Sequence, residues 1–98
     1  MHNKVRVKCD PKKREKILRE RGLDFKDFPK LFDCSTLEWT DDREDYGEVR
    51  EVVMGFLESK VVYAVYTMRK DKDGEVHWVI SMRKAEKNEK KDFFKAID

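Results

Sequence analysis

Residues 48–84 read EVREVVMGFLESKVVYAVYTMRKDKDGEVHWVISMRK, and their period-two alternation decides the fold. Three strands are predicted, over Glu48 to Leu57, Lys60 to Arg69 and Glu75 to Met82. The turn from Lys70 to Gly74 joins the last two, with Asp73-Gly74 as its strongest signal. If Glu58-Ser59 is a two-residue loop, partners across the first hairpin sum to 117, counting outward from Leu57 and Lys60. Glu48 then lies opposite Arg69, and Arg50 opposite Thr67. A slip of one residue would send each of these side chains to the other face.

Alternation in the last strand puts Val76, Trp78, Ile80 and Met82 on one face, expected to be core, and His77, Val79, Ser81 and Arg83 on the other. Both faces of the middle strand are apolar enough to be buried, and its polar end, Thr67 and Arg69, joins Ser81 and Arg83. The expected result is a sheet face bearing Glu48, Arg50, Thr67, Arg69, Ser81 and Arg83, with Lys84 at its lip. Such a face suits phosphate chemistry. Arginine offers a planar fork to phosphate oxygens and stays charged at all relevant pH, and a carboxylate among arginines can take a proton or hold them in place. Solubilising ladders of charged pairs have the same appearance in sequence.

Outward from this core, Val5 to Cys9 alternates as a short strand. Asp10-Pro11 opens a helix that runs to about Arg21 and ends at Gly22, with a narrow apolar stripe of Ile17 and Leu18. Phe25, Phe28, Leu31 and Phe32 stand at helical spacing, interrupted by Pro29, which predicts two short turns or a kinked helix carrying core phenylalanines. A brief strand is expected around Thr36 to Thr40, then a solvated acidic turn through Asp45. Ala85 to Ile97 reads as a helix anchored by Phe93, Phe94 and Ile97. The predicted class is α+β: an antiparallel sheet of four to five strands, two N-terminal helices and a C-terminal helix, in one domain over residues 1–98.

Composition narrows the function classes. Of the 98 residues 45% are charged, and 23 Lys and Arg against 21 Asp and Glu leave a net charge of only +2. The charge is unevenly spread. Residues 1–22 carry nine basic against three acidic groups, residues 23–60 five against eleven, and residues 61–98 nine against seven. Clustered Lys and Arg attract phosphate backbones. No apolar run approaches the ~18 residues of a membrane span, nor does the N-terminal stretch resemble a signal peptide, so a cytoplasmic protein is expected. Cys9 and Cys34 are expected to be small packing residues in a reducing compartment. His2 and His77 are too few and too far apart for a metal site, His77 is expected on the strand surface, and no cofactor is implied.

The stretches Arg21-Gly22-Leu23-Asp24-Phe25, Leu31-Phe32-Asp33, Asp45-Tyr46-Gly47-Glu48-Val49-Arg50 and Val79-Ile80-Ser81-Met82-Arg83-Lys84-Ala85, followed by Glu89, resemble the BrnT family of toxins from type II toxin–antitoxin pairs. The likeness runs from about Asp10 to Phe94. Gly47-Glu48-Val49-Arg50 and Ile80-Ser81-Met82-Arg83-Lys84-Ala85 are its most specific pieces. It implies a RelE-like ribonuclease fold, metal-independent RNA cleavage that inhibits translation and growth, and a BrnA-type antitoxin that neutralises the toxin and carries it to operator DNA. Carried over by position, the catalytic residues are Arg50, Arg69, Arg83 and Lys84, with Glu48 as their carboxylate. Thr67, Ser81 and Trp39 are candidates for holding substrate, Trp39 by stacking on an unpaired base. Members often carry His before the glycine that ends the first helix, where this chain has Arg21. A non-catalytic RNA- or protein-binding module using the same polar face is the second reading.

Overall fold

The computed structural model describes residues 5–98; the start of the predicted domain, including His2, lies outside them. Strand β1 (Val7–Cys9) leads into helix α1 (Pro11–Arg21). The Asp10 carboxylate accepts the Lys12 N–H at the helix start, and Gly22, at φ 71°, donates its N–H to the Leu18 carbonyl at the end. A 3-10 helix follows over Phe25–Asp33, capped by Asp24. Its tighter winding accommodates Pro29 and turns Phe25, Phe28 and Leu31 wholly inward. Burying each contributes roughly 1.5–3 kcal/mol. Strands β2 (Thr36–Asp41), β3 (Arg50–Leu57), β4 (Lys60–Asp71) and β5 (Gly74–Lys84) follow, and helix α2 (Lys87–Ile97) closes the chain.

The sheet order is β1-β5-β4-β3-β2. Four of the strands are antiparallel neighbours, as expected, but β1 runs parallel to β5, pairing Val7 with His77 and Cys9 with Val79. The predicted antiparallel sheet is therefore mixed, and the second of the two predicted N-terminal helices is 3-10 in type. The β3–β4 hairpin has the predicted register: Leu57 pairs with Lys60, Gly55 with Val62 and Glu51 with Tyr66.

The β4–β5 hairpin departs from simple alternation. Val65 pairs with Ser81 but Tyr66 with Val79, leaving Ile80 as the extra residue of a bulge. Below the bulge the faces exchange. Trp78 and Val76, expected with Met82, lie opposite Thr67 and Arg69 on the arginine side. His77, expected at the surface, instead packs half-buried against Phe28, Phe32 and Tyr66 beneath the 3-10 helix.

The two faces of the sheet have different covers. One packs against α1 and the 3-10 helix, through Ile17, Phe25, Phe28 and Leu31 on Val53, Val62, Ala64, Val79 and Met82, with Cys9 alongside. The close approach is tightest at Gly55, where a Cβ would stand 2.8 Å from the Leu31 carbonyl oxygen. Cys34, expected to pack, is exposed. The other face is covered only at one end, where Phe93 of α2 lies on Met54 and Val61. The remainder of that face carries the arginines.

Candidate functional site: an arginine–aromatic sheet face

Arg50, Arg69 and Arg83 stand on neighbouring strands of the half-open face, and each guanidinium lies over an aromatic ring. Arg50 sits 4.1 Å from the Tyr46 centroid, Arg69 4.3 Å from Trp78, and Arg83 4.0 Å from Tyr63. Stacking fixes long side chains that would otherwise sweep through solvent. The three arginines differ in what else they hold. Arg83 gives both terminal nitrogens to Glu89 of α2, at 2.8 and 2.9 Å. That contact, with a hydrogen bond to Arg83 as its leading cause, holds the Glu89 carboxyl below its ordinary range. Arg69 pairs with Glu48 at 3.4 Å. Arg50 makes no ion pair among the described residues, and its buried Nε has no hydrogen-bond partner.

Glu48 arrives from the loop before β3. The Gly47 N–H donates to the Asp45 carboxylate, and Gly47 takes φ 74°, which lets the chain reverse and bring Glu48 beside Arg69. Thr67 is buried and donates its hydroxyl to the Val49 carbonyl at 2.7 Å. It therefore clamps the same loop to β4. The acidic turn is more structured than a solvated one. The Asp41 carboxylate, buried beside Arg50 in the β2–β3 ladder, takes two hydrogen bonds from the Arg43 guanidinium, one from the Arg43 backbone N–H and one from the Tyr46 hydroxyl. Chiefly through Arg43, its pKa falls to about 2, so it stays ionised and fixes Tyr46 under Arg50.

The remaining sequence candidates lie farther out. Lys84 pairs with Val62 and is exposed; alternation with Arg83 turns it toward the opposite side of the sheet. Ser81 lies opposite Val65 and also reaches the β5 edge, where it lines a hollow of about 380 Å³ with Lys12, Lys16 and Arg21. Trp39 stands on β2, 39% exposed, edge-on to Tyr63 at 5.8 Å. Sequence reasoning missed Tyr46, Tyr63 and Glu89 as partners of the arginines. Strand register could have placed Tyr63 opposite Arg83, whereas Tyr46 and Glu89 come from a loop and a helix whose approach no local pattern encodes.

Two open hollows flank the face. One, about 380 Å³, lies between β2 and the start of α2, lined by Leu37, Trp39, Asp42, Met54, Tyr63 and Asp92 among others. The second, about 350 Å³, contains Tyr46, Glu48 and Val49, and the two share Thr40, Asp41 and Asp42. They adjoin along those three residues, and Glu48 lines the second. Among the described residues no three His, Cys, Asp or Glu side chains gather as a metal-binding group, and no helix is long and apolar enough to cross a membrane.

Guanidinium groups held on rings beside a carboxylate can bind a phosphodiester and stabilise charge growing on its oxygens. Comparison with known proteins points to the same chemistry. No individual curated protein matches the chain. A family model does, described as the ribonuclease toxin BrnT of type II toxin–antitoxin systems, and it matches residues 9–89. The matched segment takes in the whole arginine face, from Trp39 to Glu89, and the chain belongs to the BrnT family of ribonuclease toxins.

Proposed function

We propose that this protein is a RelE-like, cytoplasmic endoribonuclease that cuts RNA without a metal ion, inhibits translation and growth, and is neutralised by a BrnA-type antitoxin through which it reaches operator DNA. The observation that carries the reading is Arg50. It is a guanidinium fixed on Tyr46, with a buried Nε lacking a partner, next to the Glu48–Arg69 pair. A cation so held has capacity left for a phosphate.

In the proposed reaction the scissile phosphate lies across Arg50 and Arg69. Glu48 takes the proton of the ribose 2′-hydroxyl as that oxygen attacks phosphorus. The bond to the 5′ oxygen breaks, the leaving oxygen takes a proton from water, and a cyclic phosphate and a 5′-hydroxyl result. Arg50 supplies the main stabilisation of the negative charge, an effect worth roughly 3 kcal/mol for a well-aimed donor. Arg69 orients Glu48 and exchanges part of that pairing for the phosphate. Arg83, occupied by Glu89, holds the wall of the first hollow, and Thr67 holds the Glu48 loop. Ser81 contacts flanking RNA, whereas Lys84, on the opposite side of the sheet, takes no part in the proposed reaction.

Labelled RNA incubated with the purified protein in excess EDTA should be cut, leaving ends that carry cyclic phosphate. Cleavage that needs added divalent ion, lost on chelation and restored on return, would overturn the metal-free mechanism. The pairing of Glu48 with Arg69 favours the second reading, a binding module, because it occupies the only carboxylate proposed as base. RNA retained but uncut under every metal condition would establish that module.

A further inference from the structure

We infer that the hollow between β2 and the start of α2 is a base-reading pocket that accepts guanine next to the scissile phosphate, with Trp39 as its stacking surface and Asp42 and Asp92 as its readers. This deepens the ribonuclease reading, on which it rests.

The hollow has the size and lining of a site for one small planar group, about 380 Å³ with Leu37 and Met54 as apolar walls. Trp39 is the exposed aromatic within it. Its indole is held edge-on by Tyr63, which is itself fixed under Arg83 and so through Glu89 to α2. A tryptophan held in this way gives a base a rigid platform, and any base can stack on one.

The carboxylates decide which base. Asp41 and Glu89 are spent, on Arg43 and Arg83. Asp42 and Asp92 also line the hollow, are exposed, and make no side-chain hydrogen bond or ion pair among the described residues. An ionised carboxylate only accepts hydrogen bonds. Guanine alone among the four bases presents two adjacent donors, N1–H and the 2-amino group, to a single carboxylate. Adenine turns its N1 lone pair toward the same oxygens and is repelled. Arg43 also lines the hollow but is engaged by Asp41, so the lining is net acidic and disfavours phosphate, and an RNA strand enters here base-first.

Position links the pocket to the reaction. The hollow shares Thr40, Asp41 and Asp42 with the one that contains Glu48. Trp39 pairs with Val52, two residues along β3 from Arg50, so their Cα atoms lie about 8 Å apart by strand geometry, within the reach of one nucleotide.

The test has two readouts. The first is binding of guanosine 3′-phosphate and adenosine 3′-phosphate by calorimetry, which needs no cleavage. The guanosine form should bind at least tenfold more tightly. Trp39→Ala should abolish binding of both and Trp39→Phe restore most of it. Asp42→Asn or Asp92→Asn should bring the two nucleotides to within about threefold. The second is cleavage of oligonucleotides carrying one guanosine, inosine or adenosine at the candidate position. Guanosine should be cut fastest, and inosine, lacking the 2-amino group, about tenfold slower. Equal nucleotide affinities would overturn the pocket even if RNA is cut. A guanosine preference in binding with no cleavage would leave the pocket standing and remove the proposed reaction. Asp→Asn variants that weaken only antitoxin binding would show the hollow to be a protein-docking site and overturn the inference.

Discussion

Three arginines of one face have three different employments, and substitution should separate them. Arg50 has no ion-pair partner among the described residues, so Arg50→Ala should cost less than about 1 kcal/mol of stability while lowering cleavage roughly 100-fold or more. Arg83 ties the end of β5 to the first turn of α2, where Glu89 also accepts the Glu86 N–H. Arg83→Ala should lose about 1–2 kcal/mol and some activity together, because the α2 wall loosens. Melting temperature and kcat/KM measured on both variants check this; an Arg83→Ala protein as stable as its parent would show that the hook is idle. His77 makes a separate prediction. Burial holds its imidazole below the ordinary pKa of 6.5, and its Nδ1 is buried without a partner. The unfolded chain therefore takes up the proton first as pH falls. Its contribution is complete above about pH 6.5 and declines below, so the parent should lose stability as pH falls below about 6.5. His77→Phe should flatten that slope in pH-dependent denaturant melts.

The elements show what was legible in the sequence and what was not. The β3–β4 register followed from a two-residue loop at Glu58-Ser59 and one buried face, which leave a hairpin little choice. Counting out from that loop was thus enough to set Arg50 and Arg69 on one face, whereas Arg83 was assigned to it by the polarity of its end of β5, and Glu48, predicted within the strand, comes from the loop before β3. The bulge at Ile80 could not be read. The residues of β5 from Val76 to Met82 alternate without a visible break, apolar on one side and His77, Val79 and Ser81 on the other, so nothing in them marks an extra residue, yet the bulge puts Trp78 under Arg69 and His77 under the 3-10 helix. The parallel pairing of β1 was hidden because three residues carry too little pattern to set direction. The seating of the 3-10 helix was legible in its phenylalanines but not in its depth, which Gly55 permits. Gly55→Ala would press a methyl group onto the Leu31 carbonyl oxygen at 2.8 Å and Thr36 at 3.3 Å. Backbone on both sides must shift, at a cost of about 1–3 kcal/mol. The melting temperature should fall while cleavage at saturating RNA is retained well below it, since the arginine face lies on the far side of the sheet. Equal loss of both would place the site and the 3-10 helix in one coupled unit.

At the scale of the whole molecule, the basic N-terminal segment and the arginine face belong to different surfaces. The buried contact of α1, Ile17, lies in the core on the 3-10 helix side of the sheet, whereas Arg50, Arg69 and Arg83 project from the other. Within α1, Arg14 is committed to Asp24 and Arg21 to the Met82 carbonyl. Lys12, Lys13, Lys16 and Arg19 make no ion pair among the described residues, and Leu18 on the same helix is 43% exposed. Unpaired cations around an exposed leucine suit an acidic, partly apolar partner better than they suit the reaction, since they stand across the sheet from Arg50. In the proposed complex the antitoxin holds α1 and reaches the arginine face around the β5 edge, over the hollow that Ser81 shares with Lys12, Lys16 and Arg21. Opposite charges then speed encounter at low salt, an advantage that fades as the screening length shrinks below the ~8 Å of physiological salt. The triple variant Lys12→Glu/Lys16→Glu/Arg19→Glu should associate with antitoxin at least tenfold more slowly at low salt and converge with the parent at high salt, while cutting free RNA at close to the parental rate. Stopped-flow association across a salt series, with RNA cleavage measured on the same samples, decides it. Equal association at low salt would remove α1 from the interface, and a matching loss of cleavage would place its lysines on the RNA path instead.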